Sequence, residues 1–325
     1  MLSCSVIIPT YNGSAFIGEA LSSVFAQTML PREIIVVDDC STDDTVAIVE
    51  KIAAESPIPI RIIPRPRNSG GPTAPMNAGV SAARSELIAL CDQDDLMKPN
   101  RLERQAAALL GQRTAGLACG RILLMNGAAV DDQTLTARSP GPDLEPNKTS
   151  IGPSLYRIHG EVAHLALLEE RWMTGGASNL CFHRKTWERV QGFDTRFRIA
   201  WDYEFALKIT AHSDIVYDDS PIALQRKHDG NLSRSYELCC LEMTAAKWSY
   251  YRRPSRRISA DDRRRQLARL SLALGWGYRC QRKYSQSAAA YLAHCYYGSP
   301  LQAAIGVAKL AAVCGSRLFH AQTEC

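Results

Sequence analysis

Asp92-Gln93-Asp94-Asp95 sets three carboxylates within four residues, directly after the apolar run Leu87–Cys91. An apolar run of that length reads as a strand. A strand ending in acids places negative charge at the carboxyl edge of a sheet, where open α/β sheets bind ligands. Crowded carboxylates repel one another, and a divalent cation that prefers oxygen ligands, Mg2+ or Mn2+, is the common relief. An isolated acidic turn can also be solvated and cap a helix, so the neighbouring strand ends matter. Pro9-Thr10-Tyr11-Asn12 ends the run Ser5–Pro9, and Asp38-Asp39 ends the run Glu33–Asp38. A tyrosine such as Tyr11 can stack on a base or merely pack. Asp38 can accept hydrogen bonds from a base N–H or ribose hydroxyls, or merely cap the turn after it. With Asp92 and Asp94 holding a cation that bridges two phosphates, these parts suit a nucleoside diphosphate.

The elements that must position them alternate. Strand-like runs fall at Ser5–Pro9, Glu33–Asp38, Ile60–Pro64, Leu87–Cys91 and Leu117–Met125. Helical faces lie between them: Ile17, Leu21, Val24 and Phe25; then Val46, Val49, Ile52 and Ala53 behind Ser41-Thr42-Asp43-Asp44, which reads as a capping box; then Leu102, Ala106, Leu109 and Leu110 after Pro99. Strands alternating with helices imply βαβ units and a largely parallel sheet. Between the second and fourth strands, Asn68-Ser69-Gly70-Gly71-Pro72-Thr73-Ala74-Pro75-Met76-Asn77-Ala78-Gly79 is a loop opening a helix, whose glycines allow close backbone approach to a ligand. Neither a G-x-G-x-x-G fingerprint nor a P-loop is present.

Residues 126–160 are rich in Pro, Gly, Asp and Thr and read as a long loop. Helices are expected near Glu161–Arg171, Lys185–Val190 and Asp202–Ala211, and short strands at Asn179–Phe182, Ile215–Tyr217 and Ile222–Arg226. Thr174-Gly175-Gly176-Ala177-Ser178-Asn179 could line an acceptor cleft or form a plain turn. After Asn231 only helical patterns remain, at about 234–252, 261–281, 285–297 and 300–319. The expected division is 1–233 as one domain and 234–325 as a helical extension.

The chain has 325 residues, 46% apolar and 22% charged, with a formal net charge of +5. That is ordinary globular composition and gives no sign of nucleic-acid binding. Basic residues gather late, in Tyr251-Arg252-Arg253, Arg256-Arg257 and Arg263-Arg264-Arg265. The eleven cysteines include no C-x-x-C pair, and Cys4, Cys91, Cys119 and Cys181 sit in apolar runs. This favours a reducing compartment over a disulfide framework. No signal-peptide pattern opens the sequence, and no run reaches the roughly 18 apolar residues that span a bilayer. A cytoplasmic protein is expected, with any membrane contact left to the basic helical tail: Leu301, Ile305, Ala308 and Ala312 with Lys309 and Arg317 can lie on an anionic inner membrane face or pack on neighbouring helices.

Four motifs in order, Ser5-Val6-Ile7-Ile8-Pro9-Thr10-Tyr11-Asn12, Ile34-Ile35-Val36-Val37-Asp38-Asp39-Cys40-Ser41-Thr42-Asp43, Asn77-Ala78-Gly79 and Asp92-Gln93-Asp94-Asp95, resemble those of the family 2 glycosyltransferases. The resemblance covers about residues 3 to 235. It implies the α/β GT-A fold, a mixed, mainly parallel sheet flanked by helices. It also implies inverting transfer of a sugar from a nucleotide-diphosphate sugar (UDP- or GDP-linked) to a hydroxyl of a glycan or lipid-linked acceptor, in polysaccharide or glycolipid biosynthesis, with Mn2+ or Mg2+. By resemblance, Thr10 and Tyr11 contact the nucleotide, Asp38 and Asp39 bind base and ribose, Asp92 lies near the ribose and Asp94 holds the metal. Pro9, Asn12, Asn68, Gly71, Asn77 and Gln93 complete the expected nucleotide-sugar contacts. Gly192-Phe193-Asp194 followed by Trp201-Asp202-Tyr203-Glu204 is similar to the segment that carries the general base, which makes Asp202 the candidate. Arg226-Lys227-His228-Asp229-Gly230-Asn231-Leu232-Ser233 is similar to a closing R-x-H-x-x-N-x-S segment, with His228 a metal ligand or diphosphate contact and Arg226 or Lys227 a charge beside the diphosphate. The chain departs from the family pattern at Met76, Gln191 and Trp201, the last standing where an acid is usual. A polyprenyl-phosphate glycosyltransferase and a catalytically silent sugar-nucleotide binder are the alternatives.

Overall fold

The computed structural model describes residues 3–126, 136–138, 148–169, 175–252 and 259–321. Two compact units divide the chain, Met1–Leu232 and Ser233–Cys325. The first unit is built on one mixed sheet. Its parallel half runs β3 (Ile60–Pro64), β2 (Glu33–Asp38), β1 (Cys4–Thr10) and β4 (Leu87–Leu90). The register sets Thr10 beside Asp38 and Ile7 beside Leu90, so the polar ends of three strands emerge on one edge. Every residue of β1, β2 and β4 is buried. Strands covered on both faces read as continuous apolar runs, which is why they are plain in the sequence.

Helices α1 (Ile17–Phe25), α2 (Thr45–Ala54) and α3 (Thr73–Ala82) connect these strands. Gly79 lets α3 lie close on the sheet. A Cβ there would overlap the Ile7 side chain and come within 3.1 Å of Val37 Cγ2. The helix α4 (Arg101–Gly111) follows β5 (Leu96–Met97) and buries Leu102, Ala106 and Leu109, while Leu110 faces solvent.

Beyond β4 the sheet becomes mixed. β10 (Cys181–His183) runs antiparallel to β4 and to β6 (Ala115–Asn126), and β11 (Asp214–Lys227) runs parallel to β6. β9 (Leu155–Ile158) and β8 (Lys148–Gly152) extend it as an antiparallel hairpin, β5 pairs with β11, and β7 (Thr136–Arg138) pairs with β6. Three expectations change here. Residues 126–160 are not wholly a loop: β7, β8 and β9 lie within them, and the partly exposed edge strand β8 has no apolar alternation to announce it. The two short strands expected at Ile215–Tyr217 and Ile222–Arg226 are one strand, β11, whose register shifts between Asp218 and Pro221 and again before Ala223. Such irregularities interrupt a period-two pattern without ending a strand. Ser41–Asp44 is not a capping box either. The helix cap is Asp44 without a side-chain bond, while Asp43 accepts from the Thr45 backbone N–H at 3.1 Å and the Ser14 backbone N–H at 3.1 Å.

Helices α5 (Gly160–Leu168), α6 (Arg184–Arg189) and α7 (Trp201–Thr210) complete the first unit. Gln191 and Gly192 have φ of 62° and 71°, so the turn before Phe193 needs left-handed backbone, and Gln191 holds a position that glycine would fill with less strain. The second unit is helical: α8 (Tyr236–Arg252), α9 (Ala260–Cys280), α10 (Tyr284–Tyr297) and α11 (Pro300–Ala321). Leu241, Leu274 and Ala290 form its core, and Gly275 and Gly306 lie against the ring of Tyr291. Cys4, Cys91, Cys119 and Cys181 are buried and free.

Candidate active site

The loops after β1 and β2 are laced together. Asn12, at φ 48°, donates its backbone N–H to Ser41 Oγ at 2.9 Å and accepts the Thr42 N–H on Oδ1 at 2.8 Å. Gly13 N–H reaches Thr45 Oγ1 at 2.8 Å. Hydrogen bonds from Thr45 and Ser14 outweigh the opposing effect of burial on Asp43 and hold its carboxyl down at about 2. Asp38 is buried and accepts the Ser41 N–H. Asp39 is also buried and fully engaged: Oδ1 takes Arg65 Nη1 at 2.6 Å, and Oδ2 takes the Ser69 N–H at 2.8 Å and hydroxyl at 2.7 Å. Asn68 spends its amide on Asp39 O and the Gly70 N–H. Asn12, Asp39 and Asn68, expected as ligand contacts, therefore act through their side chains as fasteners of this frame. Tyr11, in contrast, is 45% exposed at its rim. Pro9 is buried at the end of β1, and Gly71 lies in the 68–71 loop against the side chain of Arg198.

Gln93 joins that frame to the acids. Its Oε1 accepts the Thr10 hydroxyl at 2.5 Å and the Tyr11 N–H at 2.9 Å, and its Nε2 donates to Tyr11 O at 3.2 Å. Asp92, Gln93 and Asp94 are half-buried and Asp95 is buried. Asp95 faces inward, accepting the Arg226 backbone N–H at 3.0 Å and a Ser178 hydrogen bond. Burial, with Asp94 beside it, pushes Asp95 up to about 7. Burial and the charges of Asp95, Asp94 and Asp202 hold Asp92 well above the usual carboxylate range. Four acids from two distant stretches of chain thus share one field, which Arg101 opposes at Asp92.

Asp94 Oδ2 lies 2.7 Å from His228 Nε2 and 3.3 Å from Asn231 Nδ2. His228 Nδ1 accepts the Gly230 N–H at 3.1 Å, so in the neutral ring the proton sits on Nε2 and is donated to Asp94. As placed, the Nε2 of His228 orients Asp94, the other residue expected at the metal. Arg226 is likewise spent. It is buried, donates from Nε to Asp94 O at 3.1 Å and pairs through Nη2 with Glu19 at 2.6 Å. It clamps the acidic loop and is not a charge waiting for a diphosphate.

Asp202 stands in the first turn of α7, where the helix dipole favours its anionic form, and its Oδ2 accepts the Gly176 N–H at 2.9 Å. Gly176 has φ 110°, a conformation reserved for glycine. Two residues of the same segment then work on the acid cluster and sheet: Ser178 Oγ accepts the Asp92 N–H at 2.8 Å, and Asn179 Oδ1 accepts the Gly120 N–H. The stretch 175–179 is the strut that spaces Asp202 from Asp92, a role the sequence left between cleft and plain turn. Thr174 lies outside the described residues. Asn77 is bonded to the loop before α7. Its Oδ1 accepts from Phe193 N–H at 2.9 Å and Trp187 Nε1 at 3.2 Å, and its Nδ2 donates to Phe193 O at 2.8 Å. The amide is consumed in holding the loop that leads to α7. Trp201 is 5% exposed and meets Phe193 edge-to-face at 5.3 Å, so it belongs to the core.

Among the described residues no three His, Cys, Asp or Glu side chains converge closely enough to hold a metal unaided. The donors nonetheless fit Mg2+ or Mn2+, which are commonly held by one or two carboxylates plus substrate phosphates. Asp94 and Asp92 are such carboxylates, and the repulsion around Asp92 is what a cation would relieve.

Residues 5–157 match the family model described as Glycosyl transferase family 2. Over that stretch the chain is similar to the family 2 glycosyl transferases. The matched stretch includes the β1, β2 and Asp92–Asp95 motifs and ends before Asp202 and His228. Among curated relatives, the poly(ribitol-phosphate) beta-N-acetylglucosaminyltransferase TarS of Staphylococcus aureus (strain Mu50 / ATCC 700699) is 34% identical over 143 residues, 43% of this chain and 24% of TarS. The succinoglycan biosynthesis protein ExoO of Rhizobium meliloti (strain 1021) is 42% identical over 99 residues, 30% of this chain and 27% of ExoO. The match therefore spans about a quarter of the length of each. Two solved structures share the architecture of this chain. S. aureus TarS 1–349 in complex with UDP-GlcNAc aligns with a TM-score of 0.65 at 20% identity, over 89% of this chain and 80% of that one. The mannosyltransferase PcManGT from Pyrobaculum calidifontis, in complex with GDP-Man and Mn2+, aligns with a TM-score of 0.55 at 20% identity, over 99% and 83%. The fold is the GT-A type, a mixed sheet with flanking helices.

Proposed function

We propose that the chain transfers a sugar from a UDP- or GDP-sugar to a hydroxyl of a glycan or lipid-linked acceptor, with inversion, in polysaccharide or glycolipid biosynthesis. The observation that carries this reading is the convergence of Asp202 with Asp92, Asp94 and Asp95 in one field. Asp202 takes the proton of the acceptor hydroxyl. The oxygen attacks the anomeric carbon opposite the diphosphate, the bond to the diphosphate breaks, and the configuration inverts. Gly176 orients the Asp202 carboxylate through its N–H. Tyr11 stacks on the base, and Asp38 with the laced loops forms the wall of the nucleoside pocket. Asp94, steadied by His228 and Asn231, and Asp92 would hold Mn2+ or Mg2+. The cation would neutralise charge on the leaving diphosphate.

The printed names of the relatives support a polymer or lipid-linked acceptor, and the ligands of the two solved neighbours support a nucleotide-sugar donor. We assign the transferase domain to 1–233 and a helical region to 234–325. No helix among the described residues is long and apolar enough to cross a membrane. Exposed Trp276, Leu292, Tyr296 and Leu301 support peripheral contact of the helical region with the inner membrane face. A silent binder would rest on Trp201, and that side chain lies in the core. The test is release of UDP or GDP from a panel of sugar nucleotides with Mn2+. Release that requires the metal and disappears in Asp94→Ala supports transfer chemistry. Absence of release from every donor, or release unchanged in Asp94→Ala, refutes it.

A further inference from the structure

Gln225 lies on β11 beside Leu124 of β6, one residue before Arg226, whose backbone and guanidinium bond the Asp94–Asp95 loop. Strand alternation turns Gln225 to the face opposite Arg226. That face carries Ile122 and Ala223 and meets the Gly175–Gly176 turn. A Cβ on Gly175 would lie 3.1 Å from Ile122 Cδ1, and one on Gly176 would lie 3.4 Å from Gln225 Nε2. Gly176 is the residue whose N–H holds Asp202. Gln225 thus lies one residue along its strand from the position that bonds the acidic loop, and against the turn that holds the base. In a transferase of the kind inferred above, the transferred sugar has to lie between those two, with its diphosphate at the acids and its anomeric carbon open to the activated hydroxyl.

The carboxamide itself is unfinished. Its Oε1 is out of contact with solvent and has no hydrogen-bond partner among the described residues. A buried acceptor left without a donor is costly, and a ligand hydroxyl removes that cost. We propose that Gln225 is a specificity-determining residue whose Oε1 accepts a hydrogen bond from a hydroxyl of the transferred sugar. The inference rests on the nucleotide-sugar reading. A site built to bond a substrate hydroxyl discriminates by leaving its own polar group unpaired when that hydroxyl is missing. Glycine at 176 suits the arrangement, because a side chain there would press on the amide that the sugar has to reach.

The test is calorimetric titration of the full chain, with Mn2+, against UDP, UDP-GlcNAc, GDP and GDP-mannose. Gln225→Met keeps the length and removes the acceptor; Gln225→Glu keeps an acceptor oxygen and serves as the second variant should the first fold poorly. The expected result is that Gln225→Met weakens the preferred sugar nucleotide about tenfold. Its parent nucleoside diphosphate should stay within about twofold of wild type, and Gln225→Glu should retain more of the sugar-dependent affinity than Gln225→Met. Equal loss for sugar nucleotide and nucleoside diphosphate overturns the proposal, as does no loss for either. If wild type binds none of the four, the donor reading fails and takes this inference with it; binding of the nucleotides with no dependence on Gln225 sinks this inference alone.

Discussion

The two sides of the candidate site are built from the same residue types and treat them in opposite ways. On the nucleoside side, Asp39, Asp43, Asn12 and Asn68 are bonded to neighbouring loops, and Asp43 is held low by its donors. On the side proposed for transfer, burial and neighbouring acids raise Asp92 and Asp95, and Gln225 Oε1 has no partner among the described residues. Satisfied carboxylates make a rigid frame. Crowded ones repel one another, and a cation can relieve that repulsion. In the proposed reading the contrast separates acids that shape the pocket from acids that act in it, although sequence motifs show both as the same letter.

The largest effect expected from breaking that contrast is at Asp202. Asp202→Asn should lower the transfer rate by about 10²- to 10⁴-fold, the range for a positioned acid–base group, while nucleoside diphosphate affinity with Mn2+ stays within about twofold. Steady-state transfer assays and calorimetry check the two halves separately, and an active Asp202→Asn would move the base elsewhere. Next come opposite stability changes on the two sides. Asp39→Asn breaks a buried pair with Arg65 and should cost about 3 kcal/mol in denaturant unfolding. Asp94→Asn in metal-free protein should leave stability unchanged or raise it, because it removes a repelling charge from Asp92 and Asp95. Equal destabilisation by both variants would erase the distinction.

Metal-free protein should also betray the transfer side through pH. Asp95 titrates near 7 when folded against an ordinary carboxylate value near 4 unfolded, so between those values the folded chain binds the extra proton. The Asp92–Asp95 contribution to stability is therefore greatest in acid and is lost as pH rises through that window. Asp43 has the opposite sign: its contribution is present above about pH 4 and is lost as pH falls toward 2. Unfolding midpoints of wild type and Asp95→Asn across pH 4 to 8 test this, since the variant should lose the Asp95 share of the slope between about 4 and 7. The smallest effect is at Tyr11. Tyr11→Ala should weaken nucleoside diphosphate binding by about three- to tenfold, the loss of one stacked ring, with no change in melting temperature at an exposed position.

The parallel half of the sheet was legible because β1, β2 and β4 are buried on both faces and need apolar runs. The hairpin β8–β9 was not, because an exposed edge strand imposes no such run. Within the site, the acids themselves could be read, since crowding is a local property of sequence. Their partners could not. Asn77 is bonded to Phe193, His228 to Asp94 and Gly176 to Asp202, all contacts made by the fold across long stretches of chain. A short polar motif shows which groups are present. Whether each group is spent or available depends on what the fold brings to it.

That difference can be measured in one titration. UDP and GDP are titrated into wild type and Asp94→Ala, each with Mn2+ and with EDTA. The account predicts that the favoured nucleotide binds wild type at least about tenfold more tightly with Mn2+ than with EDTA, and that Asp94→Ala abolishes the difference. Nucleotide affinity that is the same with and without metal, or a metal effect that survives Asp94→Ala, would contradict it.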